Sequence, residues 1–466
     1  MKASPIILNA DEKKAAYSLS MIYSLRMLGL FMILPVFSLY AKDLSGSTPL
    51  LIGLAIGAYG LTQAIFQIPF GMISDKLGRK PMIILGMLIF ALGSLVAGMS
   101  ESIYGVIAGR LLQGSGAVAA VLMAMAADLT REEHRMKVMA TIGVSIGLSF
   151  AVAMVAGSVL ESVIGVNGIF YLTACLAIMG VFIVIYVVPD VKEVKCHRDT
   201  ETIVENLGSI LKNKQLLRLD LGIFILHMVL TATFLVIPMV LVDPQYVNIA
   251  IKDHWMIYLP VMLFSMLFMV PFIILAESRR KMKAVFIGAI LTMILAELGF
   301  WNTYQSVYGL VASLLVFFTA FNLLEASLPS LVAKISPAEN KGTAMGIYST
   351  SQFLGAFCGG VAGGQLLGLY GIGSVFLFSA GCFVVWFFIA LTMKNPRFLS
   401  NYIVKVTNIT EQQRLFLSRE LTEINGVAEA MVIVEDGEAF LKVDLHALDT
   451  KALMEISERY SELKKV

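Results

Sequence analysis

Apolar residues run along this chain in long blocks, broken at regular intervals by short polar segments. A hydrocarbon core about 30 Å thick needs roughly 20 mostly apolar helical residues to cross it. Twelve blocks meet that length. The first six lie near 16–40, 50–73, 81–99, 102–127, 137–160 and 168–188. The second six lie near 217–242, 255–276, 284–303, 306–333, 342–368 and 373–393. Between the two groups a polar stretch runs from Pro189 to Lys214. Within it Ile203, Leu207, Ile210 and Leu211 recur at helical spacing, which predicts an amphipathic helix on the membrane face.

Beyond residue 400 the pattern changes. Ile403–Val406 reads as a strand, and Thr410 with Gln413 reads as a capping box opening a helix to about Ile424. Gly426 ends that helix. Ala430–Glu435 and Ala439–Leu445 read as strands around an Asp436-Gly437 turn, and Asp449 caps a last helix carrying Leu453, Ile456 and Tyr460. The expected fold is an all-α polytopic membrane protein of twelve helices in two pseudo-symmetric halves, followed by a small α+β ferredoxin-like domain. The expected domains are a six-helix bundle over 1–188, a cytoplasmic linker over 189–214, a second bundle over 215–395 and the small domain over 400–466.

Composition agrees with lipid as the solvent. Of the 466 residues 58% are hydrophobic and only 15% charged, against about 25% charged in a soluble domain. The net charge of +2 supplies no field for nucleic acid. What matters is placement: Lys13 and Lys14, then Lys76, Arg79 and Lys80, then Arg131, Arg135 and Lys137, the linker, Arg279–Lys283, and Lys334 with Lys341 occupy every second loop. The intervening loops hold only Lys42 and Lys252. Positive charge stays in the cytoplasm, so both termini and the linker are expected inside. The first block lacks a small-residue cleavage site and is expected to remain as an anchor. Cys175, Cys196, Cys358 and Cys382 form no CxxC pair and read as packing residues.

The halves repeat weakly. Asp75–Lys80 lies between helices two and three, Glu277–Lys281 between eight and nine; Glu133…Met139 precedes helix five as Glu339…Met345 precedes helix eleven. Such repeats place a substrate site near the bilayer midplane, between the halves.

The motifs are specific. Gly71-Met-Ile-Ser-Asp75-Lys-Leu-Gly78-Arg79-Lys80-Pro81 resembles motif A of the major facilitator superfamily, and Arg110-Leu-Leu-Gln113-Gly114-Ser-Gly116 resembles its motif B. The resemblance covers residues 15–395 and is best with the drug:proton antiporter branch; Phe66–Gly71, Asp128–Glu132 and Gly342–Gly346 carry it further, and the tail is similar to a YAM domain. Helix five has Gly157-Ser158 where the antiporter motif C has Gly-Pro. The resemblance implies a proton-coupled secondary transporter in a bacterial inner membrane, exporting small organic molecules by alternating access. It implies that the motif A cluster latches the outward-open state and that Arg110 assists proton transfer.

Residue chemistry supplies the same candidates independently. Gly71 and Gly78 permit close approach and a tight turn, Asp75 suits a neighbouring helix N-terminus near Lys341, and Arg79 is placed to bridge Asp75 and Asp128. Arg26 lies about 15 Å into helix one, beyond easy snorkelling reach, so it faces protein or a watery cavity. Arg110 and Gln113 share a face of helix four, as Asn322 and Glu325 share a face of helix ten. Glu325 is the best embedded acid; His227 and Glu297 are weaker candidates, the latter expected near water at the outer end of helix nine. Clusters of glycine in helices five and eleven, among them Gly143, Gly147, Gly157, Gly355, Gly359 and Gly360, are expected to allow close helix packing. No Walker A loop, catalytic triad or metal-ligand cluster occurs, so no cofactor, metal or enzymatic activity is expected. Small molecules, protons and the bilayer are the expected partners, with an effector, the core or another copy for the tail. An importer or sugar/nucleoside carrier on the same fold, and a non-transporting sensor signalling through the tail, remain alternatives.

Overall fold

The computed structural model describes residues 9–190, 207–336, 341–395, 400–406, 409–434, 437–444 and 447–461. The chain divides into two compact units, Met1–Lys394 and Asn395–Val466. The first is helical: α1 (Ala10–Phe31), α2 (Phe37–Tyr40), α3 (Pro49–Leu77), α4 (Arg79–Gly98), α5 (Ile103–Ser115), α6 (Ala119–Asp128), α7 (Glu132–Tyr186), α8 (Leu207–Leu211), α9 (Lys214–Val242), α10 (Trp255–Ser278), α11 (Met282–Thr303), α12 (Val307–Ile335), α13 (Lys341–Tyr370) and α14 (Ile372–Leu391).

Among the described residues ten helices are long and apolar enough to cross a membrane. One of them, 137–186, is 50 residues long, about 75 Å at 1.5 Å per residue and so twice a bilayer. The two blocks expected at 137–160 and 168–188 therefore join without a loop. The break is Gly165, at φ 65° and ψ 173°, a region that costs glycine little and other residues much. The chain turns back there. Gly157 lies against the Met32 carbonyl, and past the break Thr173 Oγ1 donates to the Gly29 carbonyl at 3.2 Å. Two other blocks are interrupted. The first expected span ends as α1 at Phe31 and resumes as α2, and the fourth divides into α5 and α6 around Gly116–Val118. Of the amphipathic linker helix only Leu207–Leu211 falls within the described residues; Ile203 and Cys196 lie outside them.

Each bundle has its own apolar core. Ile22, Met87, Phe90, Val121, Met125, Ile142 and Val184 fill the first. Phe300, Phe317, Phe318 and Phe376, all fully buried, anchor the second through ring contacts of 5.3–6.0 Å. The bundles meet chiefly where α3 lies antiparallel to α13. A methyl group on Gly53 would run into the Gly360 carbonyl, one on Gly60 into the Phe353 carbonyl, and one on Gly364 into the Pro49 carbonyl. Backbone rests on backbone along this seam, which holds the Pro49 end of α3. By contrast Gly143 and Gly147 of α7 face open space, so close packing, the expectation for those two, is not realised here.

The second unit runs β1 (Ser400–Lys405), α15 (Glu411–Glu423), β2 (Val427–Ile433), β3 (Glu438–Val443) and α16 (Thr450–Ser461). Its sheet has the order β1-β3-β2, with β3 antiparallel to both neighbours. Leu417, Leu421, Leu441, Val443, Leu453 and Ile456 form its core. The hairpin strands begin earlier than the pattern predicts, because Val427 and Ala439 both point into that core. Asp436 and His446 lie outside the described residues.

Because the seam tolerates no side chain, Gly360→Val is expected to force α3 and α13 apart. Spin labels at exposed positions 50 and 369 then read a longer distance than in the parent. An unchanged distance distribution removes the seam as the constraint.

Candidate functional site

Motif A is built by one glycine. α3 ends at Leu77 and α4 starts at Arg79, with only Gly78 between them at φ 93° and ψ 150°. That turn sends Arg79 back beneath α3. Its guanidinium donates to Asp75, to Ser74 Oγ at 2.7 Å and to Asp128 Oδ2 at 3.0 Å. The Arg79 and Asp128 side chains are 2% and 1% exposed, so the planar fork is held where water does not compete. The bridge expected between Asp75 and Asp128 is thus formed. Lys80 pairs instead with exposed Asp190 at the end of the sixth block. Gly71 is not a site of forced close approach: a methyl there would sit 3.7 Å from Ala120 Cβ, an ordinary contact. Gly114 is tighter, its missing Cβ lying against the Tyr59 carbonyl and Thr62 hydroxyl. The segment 337–340, just before α13, is outside the described residues.

Glu12, a residue the sequence reading missed, extends this cluster. It lies in the first turn of α1, ahead of the apolar stretch, and closes a capping box with Asn9. Its carboxylate also accepts from Arg131 Nε at 2.9 Å, Arg131 Nη2 at 3.0 Å and the Arg131 amide at 3.2 Å, with His134 Nδ1 at 3.0 Å. The Arg131 guanidinium outweighs the upward push of burial, and with the Asn9 amide it holds the Glu12 carboxyl far below the usual carboxylate range. Only Leu129 and Thr130 separate Arg131 from Asp128. The signal in the sequence was Asn9-x-x-Glu12 before an apolar run.

Deep in the first bundle, Arg26 is fully buried. Its Nη2 donates to Gln63 Oε1 at 2.6 Å, the Tyr59 hydroxyl at 2.8 Å and the Gly116 carbonyl at 3.2 Å. That carbonyl lies at the break between α5 and α6, where it also accepts from the Val118 amide at 2.9 Å. Arg110 donates to Gln113 Oε1 at 2.8 Å and reaches the Ala55 and Ile56 carbonyls at 3.4 and 3.3 Å. Both guanidinium groups lie over the Tyr59 ring, at 5.9 and 5.3 Å. Among the described residues neither has a carboxylate partner, so the structure brings no acid to Arg110. Both arginines face the bundle interior.

The acids sit in the other bundle. Glu325 on α12, His227 on α9 and Gln352 on α13 converge: Gln352 Nε2 donates to Glu325 Oε1 at 3.2 Å and contacts His227 Nε2 at 2.8 Å, and Glu325 Oε2 is 3.9 Å from that imidazole. The rings of Phe321 and, from the first bundle, Phe150 close one side. Gln352 is a second residue the sequence reading missed; an amide in a glycine-rich helix gave no signal. Asn322 is directed elsewhere, donating to Ser265 Oγ at 3.2 Å. Glu297 corrects its expectation outright. It is completely buried, accepts from Thr233 Oγ1 of α9 at 3.0 Å and has no access to water, because α12 and α14 pack along α11.

This architecture has close relatives. The signature of the Major Facilitator Superfamily matches residues 19–301 and 254–420. The chain belongs to the major facilitator superfamily. It is 44% identical over 434 residues to the inner membrane transport protein YajR of Escherichia coli, covering 93% of this chain and 94% of that one. It is 26% identical over 391 residues to multidrug resistance protein 2 of Bacillus subtilis, covering 79% and 92%. The crystal structure of the nucleoside transporter NupG superposes with a TM-score of 0.65 at 19% identity, over 81% of this chain and 99% of that one. As a member of the superfamily this protein is a multi-pass membrane transporter and not an enzyme.

The Glu12 cluster carries a stability signature. Arg131 is half exposed and screened, so the pair contributes about 1 kcal/mol. A lowered folded-state value means this contribution is complete above the ordinary glutamate value of 4.5 and fades only as pH falls far below it. Glu12→Gln is therefore expected to lower the Tm by the same few degrees at every pH from neutral to mildly acidic. A gap that closes on mild acidification contradicts the assignment.

Proposed function

We propose that this protein is a proton-coupled exporter of small organic molecules in a bacterial inner membrane, with Glu325 as the coupling acid. The observation that carries the reading is Glu325 itself: a carboxyl between the bundles, beside His227 and Gln352, with one buried oxygen lacking any hydrogen-bond partner. A carboxyl there binds and releases a proton at low energetic cost, since no cation holds it ionised. YajR and the multidrug relative lend weight to an inner-membrane exporter.

The membrane topology follows the same reading. Counting α7 as two crossings about Gly165 and adding α1 raises the ten apolar helices to twelve. An even number places both termini on one side, and the basic loops assign that side to the cytoplasm. The seam at the Pro49 end then closes the outside, and substrate enters from the cytoplasm. The tail, with its β1-β3-β2 sheet, is a ferredoxin-like, YAM-like unit without a described fourth strand.

In this scheme the Asp75–Arg79–Asp128 cluster stabilises the opposite, outward-open state, where it meets the start of α13. Arg79→Ala removes the guanidinium from a buried carboxylate, at a cost of about 3–5 kcal/mol. The expected result is a lower Tm together with longer distances between the Gly78 end of α3 and the Lys341 end of α13. A fall in Tm with unaltered distances makes the cluster structural alone.

The coupling claim is tested in proteoliposomes with a compound selected by thermal shift on the purified protein. Glu325→Gln, a permanent mimic of the protonated acid, is expected to retain counterflow and to lose gradient-driven accumulation. Parental accumulation by Glu325→Gln at an equal gradient would falsify the role of Glu325.

A further inference from the structure

Three helices of the second bundle bring their polar ends together. α14 lies antiparallel to α9: a methyl group on Gly222 would run into the Trp386 indole, and the Lys394 amide donates to Gln215 Oε1 at 3.2 Å. It lies antiparallel to α11 as well, with Phe376 against Phe300 at 5.3 Å and Trp386 against Phe286 at 5.7 Å. Arg218 stands four residues before Gly222, and Lys283 three before Phe286, so each shares the helix face that meets α14. In this register both lie level with the last turn of α14, Arg218 on the α9 flank and Lys283 on the α11 flank.

The stretches 214–222, 281–290 and 383–394 carry Lys214, Arg218, Lys281, Lys283 and Lys394 against a single acid, Asp220. Asp220 is buried, and Glu277 in the turn before α11 pairs with Lys334 of α12. Among the described residues none of these basic side chains has a carboxylate partner. Retention of positive charge on one side of a membrane accounts for basic loops. It does not account for Arg218 and Lys283, which stand within helices, half-buried and without a counter-charge. Helical side chains tilt toward the N-terminus of their helix, so both reach for the polar end, as lysine and arginine do when they snorkel to headgroup level. Leu217, Phe388 and Leu391 are exposed apolar side chains at the same end. Apolar surface beneath a row of unmatched cations fits a phospholipid with an anionic headgroup, its acyl chains on the one and its phosphodiester on the other.

We propose that the Leu391 end of α14, between Arg218 and Lys283, binds an anionic phospholipid of the surrounding bilayer. Its phosphodiester oxygens accept from Arg218 and Lys283, and its acyl chains run along Phe388 and Leu391. The bound lipid neutralises cations that the protein leaves unmatched and holds α9 and α11 against α14. Such a site requires only that these helices cross a bilayer; proton coupling at Glu325 plays no part in it.

The test uses full-length protein, delipidated in detergent. Native mass spectrometry measures retention of added phosphatidylglycerol against phosphatidylcholine, whose headgroup carries no net charge. The parent is expected to retain the anionic lipid preferentially. Arg218→Gln combined with Lys283→Gln is expected to weaken that retention about thirtyfold, the contribution of two basic side chains at an anionic surface. Lys42→Gln combined with Lys252→Gln removes the same charge from the Ala41–Asp43 and Ile251–Asp253 segments and is expected to leave retention at the parental level. On the parent itself, whatever the folding of any variant, a photoreactive phosphatidylglycerol is expected to crosslink around Leu217 and Leu391. Equal retention of both lipids by the parent, parental retention by the Arg218 and Lys283 variant, or crosslinks found only elsewhere overturn the site. Equal loss in the two double variants makes total charge the determinant and overturns it too. Displacement of the lipid by glycerol phosphate at equal concentration would assign the cations to a soluble phosphate instead.

Discussion

Backbone contact between α3 and α13 is the constraint on which the two-bundle arrangement depends. Gly53, Gly57 and Gly60 on one helix face Gly360, Gly364 and the Phe353 and Phe357 backbone on the other. Lipid offers apolar surfaces no drive to associate, so helices join by close packing, and close packing needs small residues. Such a seam is tight but buries few large side chains. It is suited to parting and re-forming as a unit, whereas the phenylalanine-filled core of the second bundle is suited to staying intact.

A second constraint divides the charges. In the first bundle two buried arginines are held by carbonyls, amides and one tyrosine ring, with no described acid. In the second, Asp220, Glu297 and Glu325 are buried or partly buried with no described lysine or arginine partner. Matched pairs stand near the Gly78 end of the first bundle, where Arg79 meets Asp75 and Asp128 and Arg131 meets Glu12. The carboxylates of Asp128 and Glu12 are almost fully enclosed there, and each is matched by a guanidinium. Unmatched acids in the interior are costly when ionised, and on the proposed reading that cost is what lets a proton act as a switch.

Membership of the superfamily makes the transport function firm, and the residues around Glu325 direct attention to the second bundle for coupling. The aromatic wall of Phe150 and Phe321 spans both bundles, so rearrangement of the bundles is felt directly at the Glu325 site. Glu297, sealed among α11, α12 and α14, takes no part in that junction.

Much of this was legible along the chain. Apolar block lengths gave the helices, and Gly78-Arg79 with Asp128 gave a charge bridge, because each depends on local spacing and on solvent. The joining of 137–160 to 168–188 at Gly165 was not legible, since a lone glycine in an apolar run reads equally as a packing residue. Nor was the environment of Glu297: its position near a helix end suggested water, and two neighbouring helices exclude it. Gln352 escaped notice because nothing in its own segment marks it, and Glu12 because its one mark, Asn9-x-x-Glu12, reads only as a helix cap. Periodicity and the scarcity of charge determine which segments leave water. Which buried polar groups then face one another is decided only when distant helices pack, because their meeting depends on helix rotation and register that no single segment carries.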